Sequence, residues 1–318
     1  MNPSETDREQ TVAAPGRRGD PSLDADAKPS DARTWLLAIR PRTLTAGAVP
    51  VLVGLALAAR AGALDNAVAL ATLICALLLQ IAANLANDYF DWKRGVDTEH
   101  RLGPLRVTQA GLLSPETMRA ALTAVIATAV LLGVFLVYRG GWPIVAIGIS
   151  AVLGALAYSA GPYPLASHGF GEVLVFVFFG LAAVGGTYWL QRGAFELPVA
   201  LAGLTSACPA VALIVVNNLR DIATDRAAGK HTVAVRLGPA GTRTEYTLLV
   251  GAAFVGACAI GFMITTGALL ALLALPLGIS QVRGVHERDG AALNVSLAGT
   301  ARLHFVFGVL LAVGLALG

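Results

Sequence analysis

The stretch that decides the fold is Ala67-Val68-Ala69-Leu70-Ala71-Thr72-Leu73-Ile74-Cys75-Ala76-Leu77-Leu78-Leu79-Gln80-Ile81-Ala82-Ala83, which runs directly into Asn84-Leu85-Ala86-Asn87-Asp88-Tyr89-Phe90-Asp91. Its first part carries no charge and is long enough to cross a bilayer as a helix. In lipid the backbone finds no water, so a spanning segment must pair its own polar groups as a helix or join a closed barrel. Strict alternation of apolar and polar residues is absent, which excludes the barrel. Ala120–Val137 repeats the pattern.

The rest of the chain agrees. Of 318 residues, 56% are hydrophobic and 14% charged, whereas a soluble domain carries about 25% charged residues. An all-α membrane protein follows, a bundle of about nine transmembrane helices. The expected spans are 43–62, 67–87, 116–138, 142–160, 171–191, 197–218, 244–265, 267–284 and 300–318. Residues 1–32 are polar and aperiodic and read as a disordered tail. They hold no apolar h-region, so no cleavable signal peptide is expected there. Residues 33–318 form the membrane domain. Cys75, Cys208 and Cys258 lie inside spans without metal-type spacing and read as small packing residues. A net charge of +3 gives no argument for nucleic acid as a partner; the partner is the lipid bilayer.

Basic residues crowd onto one side of these spans, including Arg33, Arg40, Arg42, Lys93, Arg94, Arg106, Arg220, Lys230 and Arg302. Opposite them stand Arg60, Arg139 and Arg192. By the positive-inside bias the tail and the larger loops face the cytoplasm. Trp142 and Trp189 fall at span ends on the other face, where interfacial anchors are expected.

The cytoplasmic ends of two spans are unusual. Asn84, Asn87, Asp88 and Asp91 are spaced i, i+3, i+4, i+7, and Asn218, Asp221 and Asp225 are spaced i, i+3, i+7. Each set lies on one face of its helix. Stacked carboxylates repel, and acids at a helix C-terminus oppose its dipole. A divalent cation relieves both costs, and oxygen-only ligands favour Mg²⁺. Mg²⁺ takes one or two carboxylates and completes its shell with water and phosphate, so the pair of stripes reads as a diphosphate site. Arg101 and Arg106 after the first stripe, and Lys230 and Arg236 after the second, are placed to hold phosphate oxygens.

Four stretches resemble one known family: Arg40-Pro41-Arg42-Thr43-Leu44; Asn87–Asp91 through Gly95, Asp97 and Gly103–Gln109; Tyr158–Leu165 with Gly169, Gly171 and Glu172; and Asn217–Asp221 with Asp225, Lys230 and Arg236. From about Thr34 onward the chain resembles the UbiA superfamily of intramembrane aromatic prenyltransferases. Its displaced third aspartate, Asp97 after Gly95, is similar to the branch that prenylates 1,4-dihydroxy-2-naphthoate in menaquinone synthesis. The resemblance implies a bacterial inner membrane enzyme with a cytoplasmic-side active site. It implies a polyprenyl diphosphate bound through Mg²⁺ on Asp88, Asp91, Asp221 and Asp225, with Asp97 near the ion and Asn84 and Asn87 assisting. Ionisation gives an allylic cation, the naphthoate ring attacks at its carboxylated carbon, and CO₂ leaves. Tyr158 is placed to shield the cation with its ring face. For the naphthoate carboxylate, Arg40, Arg42, Arg220 and Lys230 stay open as partners. Two other functions remain in view: prenylation of a different aromatic acceptor, and secondary transport. Transport would call for charges at mid-span, whereas here the acids cluster at span ends.

Overall fold

The computed structural model describes residues 31–95, 102–103 and 105–318. Among them, α1 (Asp31–Ile39) is short, and nine helices are long and apolar enough to cross a membrane. These are α2 (Pro41–Arg60), α3 (Asn66–Lys93), α4 (Pro115–Gly140), α5 (Trp142–Ser159), α6 (Gly171–Arg192), α7 (Leu197–Ala227), α8 (Val233–Met263), α9 (Thr266–Glu287) and α10 (Gly290–Leu317). The chain is a multi-pass membrane protein.

Every expected span is present, and several run longer at one end. Helix α3 continues to Lys93 and α7 to Ala227, so both aspartate stripes ride on helix that projects past the apolar block. Helix α8 begins at Val233 because a short polar turn precedes the span; Gly238 (φ 69°, ψ 177°) breaks it there, ahead of Pro239. The left-handed φ at Gly238 is one that glycine adopts without steric cost. Helix α10 reaches back to Gly290, which adds Asn294 to the stripe end of the bundle. Helix α1 has no counterpart among the expected elements; it starts inside the stretch read as tail and buries Thr34 and Ala38.

The main core lies among α2, α6, α7, α8, α9 and α10. Helices α2 and α10 meet where Gly308 faces Val49, too close for a Cβ on that glycine. Small residues permitting such approach are the usual packing device in lipid. A second cluster joins α1, α3 and α4 around Leu85, Met118 and Val107. Midway along α6 the backbone widens into a π-helical turn, Phe176–Ala182, a distortion frequent near functional sites.

At the end away from the stripes, Asp65 caps α3. Its carboxylate accepts the N–H groups of Ala67 and Val68 at 2.9 and 3.1 Å, and Arg139 of α4 pairs with it at 2.5 Å. Gln191 of α6 accepts the Asp65 N–H at 2.6 Å. The Val68 N–H first, and then the Arg139 guanidinium, hold the Asp65 carboxyl below the usual carboxylate value. Trp189 is not a free interfacial anchor. Its indole donates to the Gly140 carbonyl at 2.7 Å and stacks on Phe195. Trp142 is exposed at the start of α5.

Candidate active site

A cavity of about 1350 Å³ starts at the two stripes and descends into the bundle. Its mouth is polar, with Asn84, Asn87, Asp91, Arg94 and Arg106 on one side and Asn217, Asn218, Asp221, Asp225 and Lys230 on the other. Deeper, the walls are apolar, and the π-helical turn supplies Phe178 and Phe179. Val134 of α4 and Leu153 of α5 line the cavity and are 63% and 60% exposed, so much of their apolar surface is left uncovered by the protein. Cys75, expected as packing, is part of the wall. Tyr158 lines the cavity at the stripe end of α5.

The first stripe divides. Asp91 faces the cavity, and its two oxygens take Arg94 at 2.6 Å and Arg106 at 2.8 Å. Asp88 does not line the cavity. It is 1% exposed, and its oxygens accept the backbone N–H groups of Val107 and Thr108 at 3.1 and 3.0 Å, with Arg40 4.0 Å away. Asp88 was expected as a metal ligand; in this geometry it holds the loop that carries Arg106. Helical spacing put Asp88 on the right side of α3 but at the edge of the stripe, within reach of the returning loop. Asn84 lines the cavity, with its amide donating to the Ile39 carbonyl and to Thr43 Oγ1, both at 2.8 Å. Asn87 accepts the Ser159 hydroxyl. Asp97 and Arg101 lie outside the described residues.

The second stripe takes its cations from its own stretch of chain. Arg220 grips Asp221 with Nε and Nη2 at 2.7 and 2.6 Å, while Lys230 pairs with Asp225 at 2.9 Å. Arg220 is 3% exposed and does not line the cavity, so it is removed as a partner for an acceptor carboxylate. Arg40, Arg42 and Lys230 do line it. Asn218 donates to Glu172 Oε1 at 2.9 Å. Glu172 thus braces α7 from within the bundle.

Gln80 and Asn294 are among the cavity residues that the sequence reading did not single out. Gln80 is one turn before Asn84 and on the same face, which the spacing already contained. Nothing local marks Asn294, because what places it is contact with distant elements.

The donor set suits a hard divalent cation. Asp91, Asp221 and Asp225 offer carboxylate oxygens at one mouth, with amides beside them. Among the described residues no three His, Cys, Asp or Glu side chains form a ready cage. Mg²⁺ asks for none, since it keeps water and borrows phosphate oxygens.

The model of the UbiA prenyltransferase family matches residues 47–316. The chain belongs to the UbiA prenyltransferase family. Membership sets the transport reading aside. Among curated UbiA relatives, the chain is 37% identical to the 1,4-dihydroxy-2-naphthoate octaprenyltransferase of Mycobacterium tuberculosis, covering 89% of this chain and 97% of that one. It is 36% identical to the enzyme of the same name from Escherichia coli, covering 89% and 96%. A UbiA homolog from Archaeoglobus fulgidus, solved bound to GPP and Mg²⁺, superimposes with a TM-score of 0.63 at 15% identity, over 88% of this chain and 100% of that one. At that identity the likeness shows the fold.

Proposed function

We propose that the chain transfers a polyprenyl group from polyprenyl diphosphate to 1,4-dihydroxy-2-naphthoate, releasing diphosphate and CO₂ and giving demethylmenaquinol for menaquinone biosynthesis. The observation that carries the reading is the joining of a two-stripe acidic mouth to an apolar cavity inside a bundle of membrane-spanning helices. A diphosphate with a long hydrocarbon tail is the kind of substrate that needs both halves. Identity above one third to naphthoate octaprenyltransferases supports the acceptor.

In this reading Asp91, Asp221 and Asp225 hold Mg²⁺, which neutralises the diphosphate and favours its departure. Arg94, Arg106 and Lys230 are already poised against those carboxylates. With Mg²⁺ held by the carboxylates, these cations would turn toward phosphate oxygens, where charge grows as the C–O bond breaks. The apolar walls and Phe178 keep water from the allylic cation, and Tyr158 presents its ring near the mouth. Arg40, Arg42 and Lys230 are the cations at the cavity that can orient the naphthoate carboxylate. Attack at the carboxylated carbon followed by CO₂ loss restores aromaticity without a strong base. The stripes and the basic loops face the cytoplasm of a bacterial cell, by the charge bias.

The test uses purified protein, Mg²⁺, a prenyl diphosphate and competing aromatic acceptors, with products identified by mass. Demethylmenaquinol lacking the carboxylate is expected. Absence of any prenylated naphthoquinol overturns the reading, and a product that keeps its carboxylate overturns the decarboxylating step.

A further inference from the structure

Asn294 belongs to no motif, yet it bridges the two halves of the mouth. It sits in the first turn of α10 and lines the cavity. Its Oδ1 accepts Arg220 Nη1 at 2.8 Å, and its Nδ2 donates to the Leu102 carbonyl at 2.8 Å. On one side, Arg220 grips Asp221 and also donates to Asn217 Oδ1 at 2.9 Å. On the other, Leu102 opens the stretch leading to Arg106, which holds Asp91.

The amide orientation is forced by its partners. A guanidinium only donates and a carbonyl only accepts, so one amide face must meet each. Asparagine is a short side chain carrying both faces. Aspartate offers acceptors alone, and leucine offers neither.

We propose that Asn294 is a positioning residue that sets the spacing of the two aspartate stripes, by tying the arginine of Asp221 to the loop that delivers Arg106 to Asp91. This rests on the proposal that both stripes engage one diphosphate. A loose tether leaves each stripe intact but lets their separation vary, which weakens a ligand that must touch both.

Two variants separate the links. Asn294→Asp keeps the contact to Arg220 and turns a second acceptor toward the Leu102 carbonyl, so only the loop is released. Asn294→Leu cuts both. Asn294→Gln keeps both chemical faces on a longer arm and serves as the conservative rescue. The full chain in detergent is treated with trypsin, with cleavage after Arg101 and Arg106 followed by mass, and prenyl transfer kinetics are measured alongside.

Cleavage in Asn294→Asp is expected to rise roughly tenfold, the scale of one lost hydrogen bond in a local opening. KM for prenyl diphosphate is expected to rise roughly tenfold with kcat changed much less. Asn294→Leu adds a fall in kcat, and Asn294→Gln recovers part of the KM effect. Cleavage of Asn294→Asp at the wild-type rate overturns the tether. Faster cleavage with unchanged KM overturns the spacing role. If wild-type protein gives no transfer while Asn294→Asp still loosens the loop, the proposed function fails and the tether stands.

Discussion

The stripe on α3 borrows one of its two cations, Arg106, from a loop, whereas the stripe on α7 draws both from its own stretch of chain. Asp91 depends on Arg106 from a loop, and Asp88 is spent holding that loop by two backbone N–H groups. Asp221 is gripped by its neighbour Arg220, and Asp225 by Lys230 shortly beyond the helix. One stripe is an assembly of two segments; the other is nearly a single folded unit. The difference teaches that equal residue types at a mouth can carry unequal structural duties. It predicts that substitutions in α7 damage stability and chemistry together, while those in α3 damage chemistry first.

The largest effect is expected from Asp91→Asn and Asp221→Asn, each lowering kcat/KM by roughly 100-fold or more, as loss of a charge-stabilising group at a reacting centre does. Initial rates of prenyl transfer measure it. Stability then separates the stripes. Asp221→Ala strands Arg220, whose side chain is 1% exposed, and breaking such a buried pair costs about 3–5 kcal/mol. Asp91→Ala takes the carboxylate from Arg94, 25% exposed, and from Arg106, 7% exposed, both less enclosed than Arg220. Thermal unfolding in detergent should therefore fall further for Asp221→Ala; equal losses would erase the contrast.

Asp88→Asn sharpens it from the other direction. The amide keeps one acceptor and sets an NH₂ against a backbone N–H, at a cost of about 1–3 kcal/mol to loop docking. Activity should fall less than in Asp91→Asn, and the Mg²⁺ concentration for half-maximal rate should stay near wild type. A large rise in that concentration would return Asp88 to the metal. Tyr158→Leu is expected to slow turnover by about 2–30-fold, the range of a cation–π contact, and Tyr158→Phe much less.

The smallest effect belongs to the far end of α3. The Asp65 carboxyl is held below 3.8, so its contribution to stability is complete above that value and is lost as pH falls through the lowered one. Asp65→Asn should flatten the acid limb of the stability profile, followed by unfolding at successive pH values, and leave transfer at neutral pH unchanged.

Much of this was legible in the sequence because lipid imposes a simple rule. Apolar blocks such as Ala67–Ala83 must be helices, and their number and order follow. The stripes were legible because helical periodicity survives past the membrane surface, which is why Asn84, Asn87 and Asp91 meet at the mouth. The hold of Asp88 on the Arg106 loop was not legible, because periodicity gives the side of a helix but not what the next loop brings to it. Asn294 was hidden for the same reason: its partners, Arg220 and Leu102, are remote in sequence. Helix α1 is too short and polar to announce itself by hydropathy, and its burial of Thr34 and Ala38 depends on α3 and α4 already being in place.

The apolar cavity that descends among the membrane-spanning helices, past Val134 and Leu153, decides which solvent supplies the reaction. A tail that enters through it is drawn from the surrounding leaflet, and a product more greasy than either reactant departs by the same route. The quantity that saturates the protein is then a mole fraction among lipids rather than a molarity in water. Traffic is two-dimensional, and diluting the membrane with inert lipid slows the enzyme even when every bulk concentration is unchanged.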